Sequence, residues 1–99
     1  MKILFDTVYI HNGGGKEILD LIIYYVYKHN LENYFLFLLD KRYTVPVHPN
    51  KKIDFLKISP TEKGRKNFYK QNKNFKSYFF LSNVPPPVFI DNPCGIYFH

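Results

Sequence analysis

A run of three glycines followed by a lysine is the segment of this sequence best suited to holding a ligand. The segment is His11-Asn12-Gly13-Gly14-Gly15-Lys16-Glu17. Glycines let the backbone approach a ligand closely, and the start of a following helix presents free N–H groups, so phosphate or carboxylate would fit. The phosphate-binding pattern G-x-x-x-x-G-K-[ST] fails at Ile10 and Glu17, and the dinucleotide pattern G-x-G-x-x-G fails at Ile18. Asn12 to Lys16 are therefore predicted to form an anion-binding loop of no standard class, with a plain turn into the helix as the alternative.

A second polar pair, Ser82-Asn83, follows a predicted strand and precedes Pro85-Pro86-Pro87. Open α/β sheets bind ligands at the carboxyl ends of their strands. Hydroxyl and amide groups at that edge could hydrogen-bond a sugar or another polyol, while the prolines would stiffen the wall. The alternative interpretation is a rigid connector to the next strand.

Catalytic and metal-binding patterns are not recognisable in the sequence. The four histidines and the single cysteine, Cys94, lack partners at metal-ligand spacing, so neither a metal nor a cofactor is expected. No Ser/His/Asp order or carboxylate pair stands out. Asp6, at the end of the first predicted strand, is the one acid placed where catalysis could use it, and a structural or capping role is the alternative. The catalytic residue is left unassigned.

Positive charge is concentrated in one segment of this chain of net charge +6. Residues 41–76 contain eleven Lys or Arg and two acids, whereas residues 1–40 contain three basic and five acidic residues. The basic residues interleaved with Phe68, Tyr69 and Phe75 are Lys63, Arg65, Lys66, Lys70, Lys73 and Lys76. Such a surface could face the phosphates of nucleic acid, of an anionic membrane or of a phosphorylated substrate, and alternating cations and aromatics suit single strands. The alternative is a solvated helix face whose aromatic residues pack inward.

Alternating strands and helices are predicted to position these residues. The strands are expected at 2–5, 34–39, 53–58, 78–81 and 96–98, and the helices at 16–29 and from Ser59 or Thr61 to about residue 75. The first helix has two neighbouring apolar stripes, which predicts that other elements cover most of its circumference. The stripes are Ile18, Leu21, Ile22, Tyr25 and Leu19, Ile23, Val26. This order predicts an α/β, Rossmann-like three-layer parallel sheet.

Length and composition set the limits of this fold. Ninety-nine residues allow one small domain, and one cysteine excludes an intramolecular disulfide and favours a reducing compartment. No segment has the apolar length of a signal sequence or of a membrane-spanning helix, so a cytoplasmic chain is expected. The last predicted strand lies at the chain end. Residues 1–99 are therefore expected to form an incomplete domain whose open sheet edge favours a homodimer or a missing partner.

The order of these motifs resembles the N-terminal, acceptor-side portion of a GT-B-fold glycosyltransferase of family four. Lys2–Asp6 followed by Gly13–Leu19 is similar to the strand, glycine-rich loop and buried helix that open such enzymes. Tyr78–Pro86 is similar to a strand with a "GN-x-PP" signature, and Ile96–His99 resembles the next strand, which often ends in histidine. The resemblance spans essentially the whole chain.

This resemblance implies that the chain takes part in moving a sugar, with retention, from a nucleotide-sugar donor to a glycan or lipid-linked acceptor of surface polysaccharide. Gly13 to Gly15 would approach the donor phosphates, and Ser82, Asn83 and His99 would line the acceptor side. In many members a basic residue follows the glutamate of the loop, whereas here Lys16 precedes Glu17.

Family members hold the nucleotide mainly with a C-terminal donor-binding domain that carries paired glutamates, and no segment here matches it. The chain alone is therefore expected to be inactive, with its basic segment on the inner face of a membrane. The alternatives are a small basic nucleic-acid-binding or adaptor domain, and a standalone nucleotide-binding module.

Overall fold

Strand β1 (Ile3–Thr7) lies between two other strands in a four-stranded, all-parallel sheet. The computed structural model describes residues 2–81, in which the sheet order is β3-β2-β1-β4. The remaining elements are α1 (Gly13–Lys28), a 3-10 turn (Glu32–Tyr34), β2 (Phe35–Asp40), β3 (Asp54–Ile58), α2 (Glu62–Gln71) and β4 (Ser77–Phe80). The α/β prediction is confirmed, and this strand order is compatible with the first half of a Rossmann-like sheet.

Each face of the sheet carries its own hydrophobic core because the two inner strands, β1 and β2, are apolar on both sides. On one face α1 packs against Phe37 and Leu39 of β2. On the other face α2 packs against Leu4 of β1 and Leu38 of β2. Helix, sheet and helix therefore form three layers. The connection between β2 and β3, residues 41–53, contains no helix, and its Tyr43 and Ile53 complete the core under α1.

Helix α1 buries only one of its two predicted apolar stripes. Leu19, Ile23 and Val26 are buried, whereas Leu21 is 68% exposed and Tyr25 is 56% exposed. The expectation that neighbours cover most of the helix is therefore wrong for the stripe that contains Leu21 and Tyr25. The physical reason is that the sheet and the 41–53 connection cover the Leu19 stripe, so the neighbouring stripe lies at the margin of this contact. Ile22 packs against the core there, while Leu21 and Tyr25 face outward.

Helix boundaries differ from prediction at both helices. Helix α1 begins three residues early, so that the three glycines form its first turn instead of a loop. Helix α2 is capped by Thr61, whose hydroxyl accepts a hydrogen bond from the Gly64 N–H at 3.0 Å, and it ends at Gln71 instead of about residue 75. A Cβ at Gly64 would lie 3.1 Å from the Thr61 hydroxyl, which explains a glycine inside this helix. The predicted strand at 96–98 lies outside the described residues.

Candidate functional site at the carboxyl edge of the sheet

The carboxyl edge between β1 and β4 is the candidate ligand site of this sheet. From β1 the chain passes through α1 to β2 on one side, and it later reaches β4 on the other side through α2. The strand order thus reverses between β1 and β4, and ligands of open α/β sheets bind at the carboxyl ends of the strands at such a point. The segment from Val8 to Asn12 leads from β1 along this edge into α1.

The N-terminus of α1, which faces this edge, has neither a side-chain cap nor a negative charge. Asn12 occupies the N-cap position in an extended conformation, but its side chain makes no capping hydrogen bond, and the first turn contains no acid. The positive end of the helix dipole and the N–H groups of the glycines therefore lie open to an anion. A Cβ placed on Gly13 or Gly14 would meet no atom within 4 Å, so the space above both residues is free.

Of the predicted loop residues, Lys16 is directed to a partner within the fold. Its ammonium group lies 2.6 Å from Asp20 Oδ2, one turn further along α1. The Tyr43 hydroxyl donates to the other oxygen of Asp20 at 2.5 Å. Burial would raise the pKa of Asp20, but the hydrogen bonds from Lys16 and Tyr43 outweigh it and hold that pKa below its usual value. The candidate anion site therefore consists mainly of the backbone of Asn12 to Gly15.

Asp6, at the carboxyl end of β1, is buried and bound by three donors. Arg65 Nε lies 2.9 Å from one carboxylate oxygen, and the Tyr69 hydroxyl lies 2.5 Å from the same oxygen. The Val8 N–H donates to the other oxygen at 3.1 Å. Burial and the Asp6 charge raise the pKa of Tyr69, so its hydroxyl remains a donor. These contacts give Asp6 a structural role in the described part of the chain.

The assignment of Arg65 to a basic surface is wrong, since the residue is only 1% exposed. Positions 65, 68 and 69 lie on one face of α2, and that face packs on the sheet. A buried guanidinium is stable here because Asp6 neutralises it. The same guanidinium lies 5.7 Å from the centre of the Tyr9 ring. Sequence reasoning missed this contact, although an arginine within the apolar stripe of α2 was a signal for it.

The turn after β1 is fixed by the same cluster. Tyr9 has a φ of +83°, in the left-handed region that non-glycine residues rarely occupy. The Ile10 N–H donates to the Thr7 carbonyl oxygen at 3.1 Å and closes the turn. The Asp6–Arg65 pair contacts the two middle residues of this turn, through the Val8 N–H and the Tyr9 ring. It therefore helps to set where the chain enters α1.

Asp40, at the carboxyl end of β2, is a second acidic residue at this edge whose charge is neutralised by an arginine. Arg42 binds it with two side-chain nitrogens, at 3.0 and 2.7 Å, and with its backbone N–H at 2.9 Å. Burial would raise the pKa of Asp40, but the hydrogen bonds from Arg42, with smaller contributions from the charges of Arg42 and His11, hold it below the usual range. Asp6 and Asp40 are thus each paired with an arginine at this edge.

The remaining basic residues lie on the surface without a stacking platform. Lys63, Lys66, Lys70, Lys73 and Lys76 are exposed. Phe68 and Tyr69 are buried under α2, and the Phe75 ring lies 6.2 Å from that of Phe68. The inward-packed alternative is therefore confirmed for these aromatic residues.

Ser82, Asn83 and His99, predicted for the acceptor side, lie outside the described residues. Between residues 2 and 81, no group of three or more His, Cys, Asp or Glu side chains could hold a metal ion. In the same part of the chain, no helix has the length and apolar character needed to cross a membrane. Neither a protein-family model, nor a curated protein, nor a solved structure matches the sequence or fold of this chain.

Proposed function

We propose that the chain binds the phosphates of a nucleotide sugar at the N-terminus of α1, as the N-terminal portion of a glycosyltransferase. One observation carries the proposal: a glycine-rich helix start without a cap lies at the edge where the strand order reverses. Backbone N–H groups and a helix dipole at such a position favour a phosphate. The free space above Gly13 and Gly14 lets a diphosphate approach the backbone.

Sugar transfer to a glycan or lipid-linked acceptor of surface polysaccharide is the activity that we propose for the whole enzyme. The resemblance of the strand, glycine segment and helix to family-four enzymes supports it. Asp6 and Asp40 are each neutralised by an arginine at this edge. We therefore assign a binding role to the described residues and leave the catalytic acid or base unassigned. The basic surface of five lysines would face anionic lipid, which is where a lipid-linked acceptor resides.

A titration with UDP-glucose, followed by amide shifts of the full chain, tests the binding site. We expect saturable shifts at residues 12–16, and UDP alone should produce them as well. Gly14→Asp adds a carboxylate at the helix start and should weaken binding at least tenfold, since it occupies the position of the anion and repels it. Asn67→Asp, which makes the same charge change at an exposed position on α2, is the matched control and should bind like the parent.

Two results would contradict the proposal. Without saturable shifts at residues 12–16, the N-terminus of α1 has no role in nucleotide binding. If Gly14→Asp and Asn67→Asp weaken binding equally, the effect of Gly14→Asp is one of net charge and not of the site.

A further inference from the structure

A cavity of about 290 Å³ lies far from the carboxyl edge, between the last turns of α1 and the 41–53 connection. Tyr24, Pro46 and Val47 form part of its apolar lining. Helix α1 rises about 1.5 Å per residue, so the cavity lies roughly 18 Å along the helix from Gly13. It is therefore separate from the proposed nucleotide site, and either one can exist without the other.

Two neighbouring rings, tilted against each other, form another part of the lining. The buried Tyr27 ring and the His48 imidazole have centroids 5.2 Å apart and planes tilted by 36°. Tyr24 is 63% exposed and Val47 is 91% exposed at the same cavity. Exposed apolar side chains around a concave site gain free energy when an apolar ligand covers them. The lining thus favours a flat hydrophobic ring.

The ionisable side chains at this cavity favour an anion. Lys28 and Lys51 line it and no acid does, although Glu32 acts electrostatically on Tyr27 nearby. Lys51 donates to the Tyr27 carbonyl oxygen at 2.7 Å and to Asn30, which fixes it at the C-terminus of α1 and leaves one of its three N–H donors. The His48 Nδ1 accepts from the Asn50 N–H at 3.0 Å, so a neutral His48 carries its proton on Nε2 as a donor.

We propose that this cavity binds a small aromatic carboxylate. The ring lies among Tyr24, Val47 and the Tyr27–His48 pair, and the carboxylate lies toward Lys28 and Lys51. A cavity of about 150 Å³ is enough for a benzene ring, so the volume here accommodates a ring with a carboxylate. An apolar lining with a few convergent donors is the usual construction of a small-molecule site. The positive charges of Lys28 and Lys51 favour a carboxylate over its neutral analogue.

The test titrates the full chain with benzoate, benzamide and acetate, followed by amide shifts. Benzoate should give saturable shifts at residues 24–28 and 46–51. Benzamide, which keeps the ring without the charge, and acetate, which keeps the charge without the ring, should each bind at least tenfold more weakly. A shift pattern confined to residues 12–16 would instead assign the ligand to the nucleotide site and overturn the proposal.

A variant pair makes the result specific to the cavity. Val47→Asp places a carboxylate on the lining at a position too exposed to affect folding, and it should weaken benzoate binding at least tenfold. Thr44→Asp makes the same charge change in the same connection at an exposed position that does not line the cavity, and it should bind like the parent. Benzamide binding as tightly as benzoate would refute the charge argument. Equal loss in the two variants would refute the location.

Discussion

Asp6 joins the end of β1 to helix α2 through a buried ion pair with Arg65. Asp6→Asn removes the charge that neutralises the guanidinium and leaves a cation buried beneath the turn at Tyr9. The loss of one partner of a buried pair costs about 3–5 kcal/mol of unfolding free energy. Urea denaturation followed by circular dichroism measures the cost.

An exposed ion pair supplies the control for this prediction. Lys2 and Asp54 also form an ion pair, but both side chains are substantially solvated. Asp54→Asn should therefore change the unfolding free energy by less than about 1 kcal/mol. If Asp6→Asn proved as mild as Asp54→Asn, the Asp6–Arg65 pair would not be a main link between sheet and α2.

Asp40 predicts an acid-dependent loss of stability. Its pKa in the folded chain lies below its ordinary value of 3.8, because the hydrogen bonds from Arg42 outweigh burial. A lowered folded pKa stabilises the fold at pH values above the unfolded pKa, and the contribution is lost as pH falls through the folded pKa. The unfolding free energy of the parent should therefore exceed that of Arg42→Gln most strongly above about pH 5. The difference should shrink as the pH falls below about 4.

Urea denaturation across this pH range measures the convergence. Lys41→Gln removes the same charge from the neighbouring exposed residue. Its unfolding free energy should differ from that of the parent by a nearly constant amount across this pH range. A pH-independent gap between the parent and Arg42→Gln would show that Arg42 does not act through the Asp40 carboxylate.

At the scale of elements, the start of α1 depends on two glycines for different reasons. Gly13 has a φ of +66°, where a Cβ is strained, so Gly13→Ala should cost about 1–2 kcal/mol. Gly14 has no such conformation and free space around its Cα, so Gly14→Ala should stabilise the helix by about 0.5–1 kcal/mol. Each variant adds one methyl group, and thermal denaturation compares them directly. Equal effects of the two substitutions on stability would contradict the positive φ of Gly13.

Strand and helix positions were largely predictable because hydrophobic periodicity and turn residues are local signals. All four strands within residues 2–81 occur within two residues of the predicted bounds. The helix ends were less predictable. Glycines disfavour a helix interior, so the sequence did not predict that Gly13 to Gly15 form the first turn of α1. The glycine at position 64 is explained by its close contact with Thr61, which the sequence does not show.

The location of the candidate site along the backbone was predictable, whereas the side-chain contacts within it were not. The glycine segment and the end of β1 could be located from the chain order alone. The partners of Asp6 could not, because Arg65 and Tyr69 lie 59 and 63 residues away along the chain. The positive charge of the segment favoured an exposed position for Arg65. The spacing of residue 65 with Phe68 and Tyr69 on one helix face indicated the opposite, but it did not identify Asp6 as the partner.

For the whole molecule, the two outer faces differ in chemistry. The α1 side presents the exposed aromatic and aliphatic side chains Leu21, Tyr24 and Tyr25. The α2 side presents the lysines, whose neighbouring aromatic residues are buried in the core. A surface with cations but without exposed rings attracts polyanions through charge and lacks the base stacking that strengthens single-strand binding. This difference separates the lipid-facing proposal from the nucleic-acid alternative.

Binding to vesicles and to single-stranded DNA tests that distinction. Lys66→Glu/Lys70→Glu should weaken binding to phosphatidylglycerol vesicles at least tenfold, since each basic residue near an anionic surface contributes about 1 kcal/mol. Lys41→Glu/Lys52→Glu reverses two exposed lysines outside this surface and should have a smaller effect. Added salt should weaken vesicle binding of the parent. Tight single-strand binding that persists at high salt would require stacking and would favour the nucleic-acid alternative. Vesicle binding that ignores salt and both double variants would remove the lipid-facing role of these lysines.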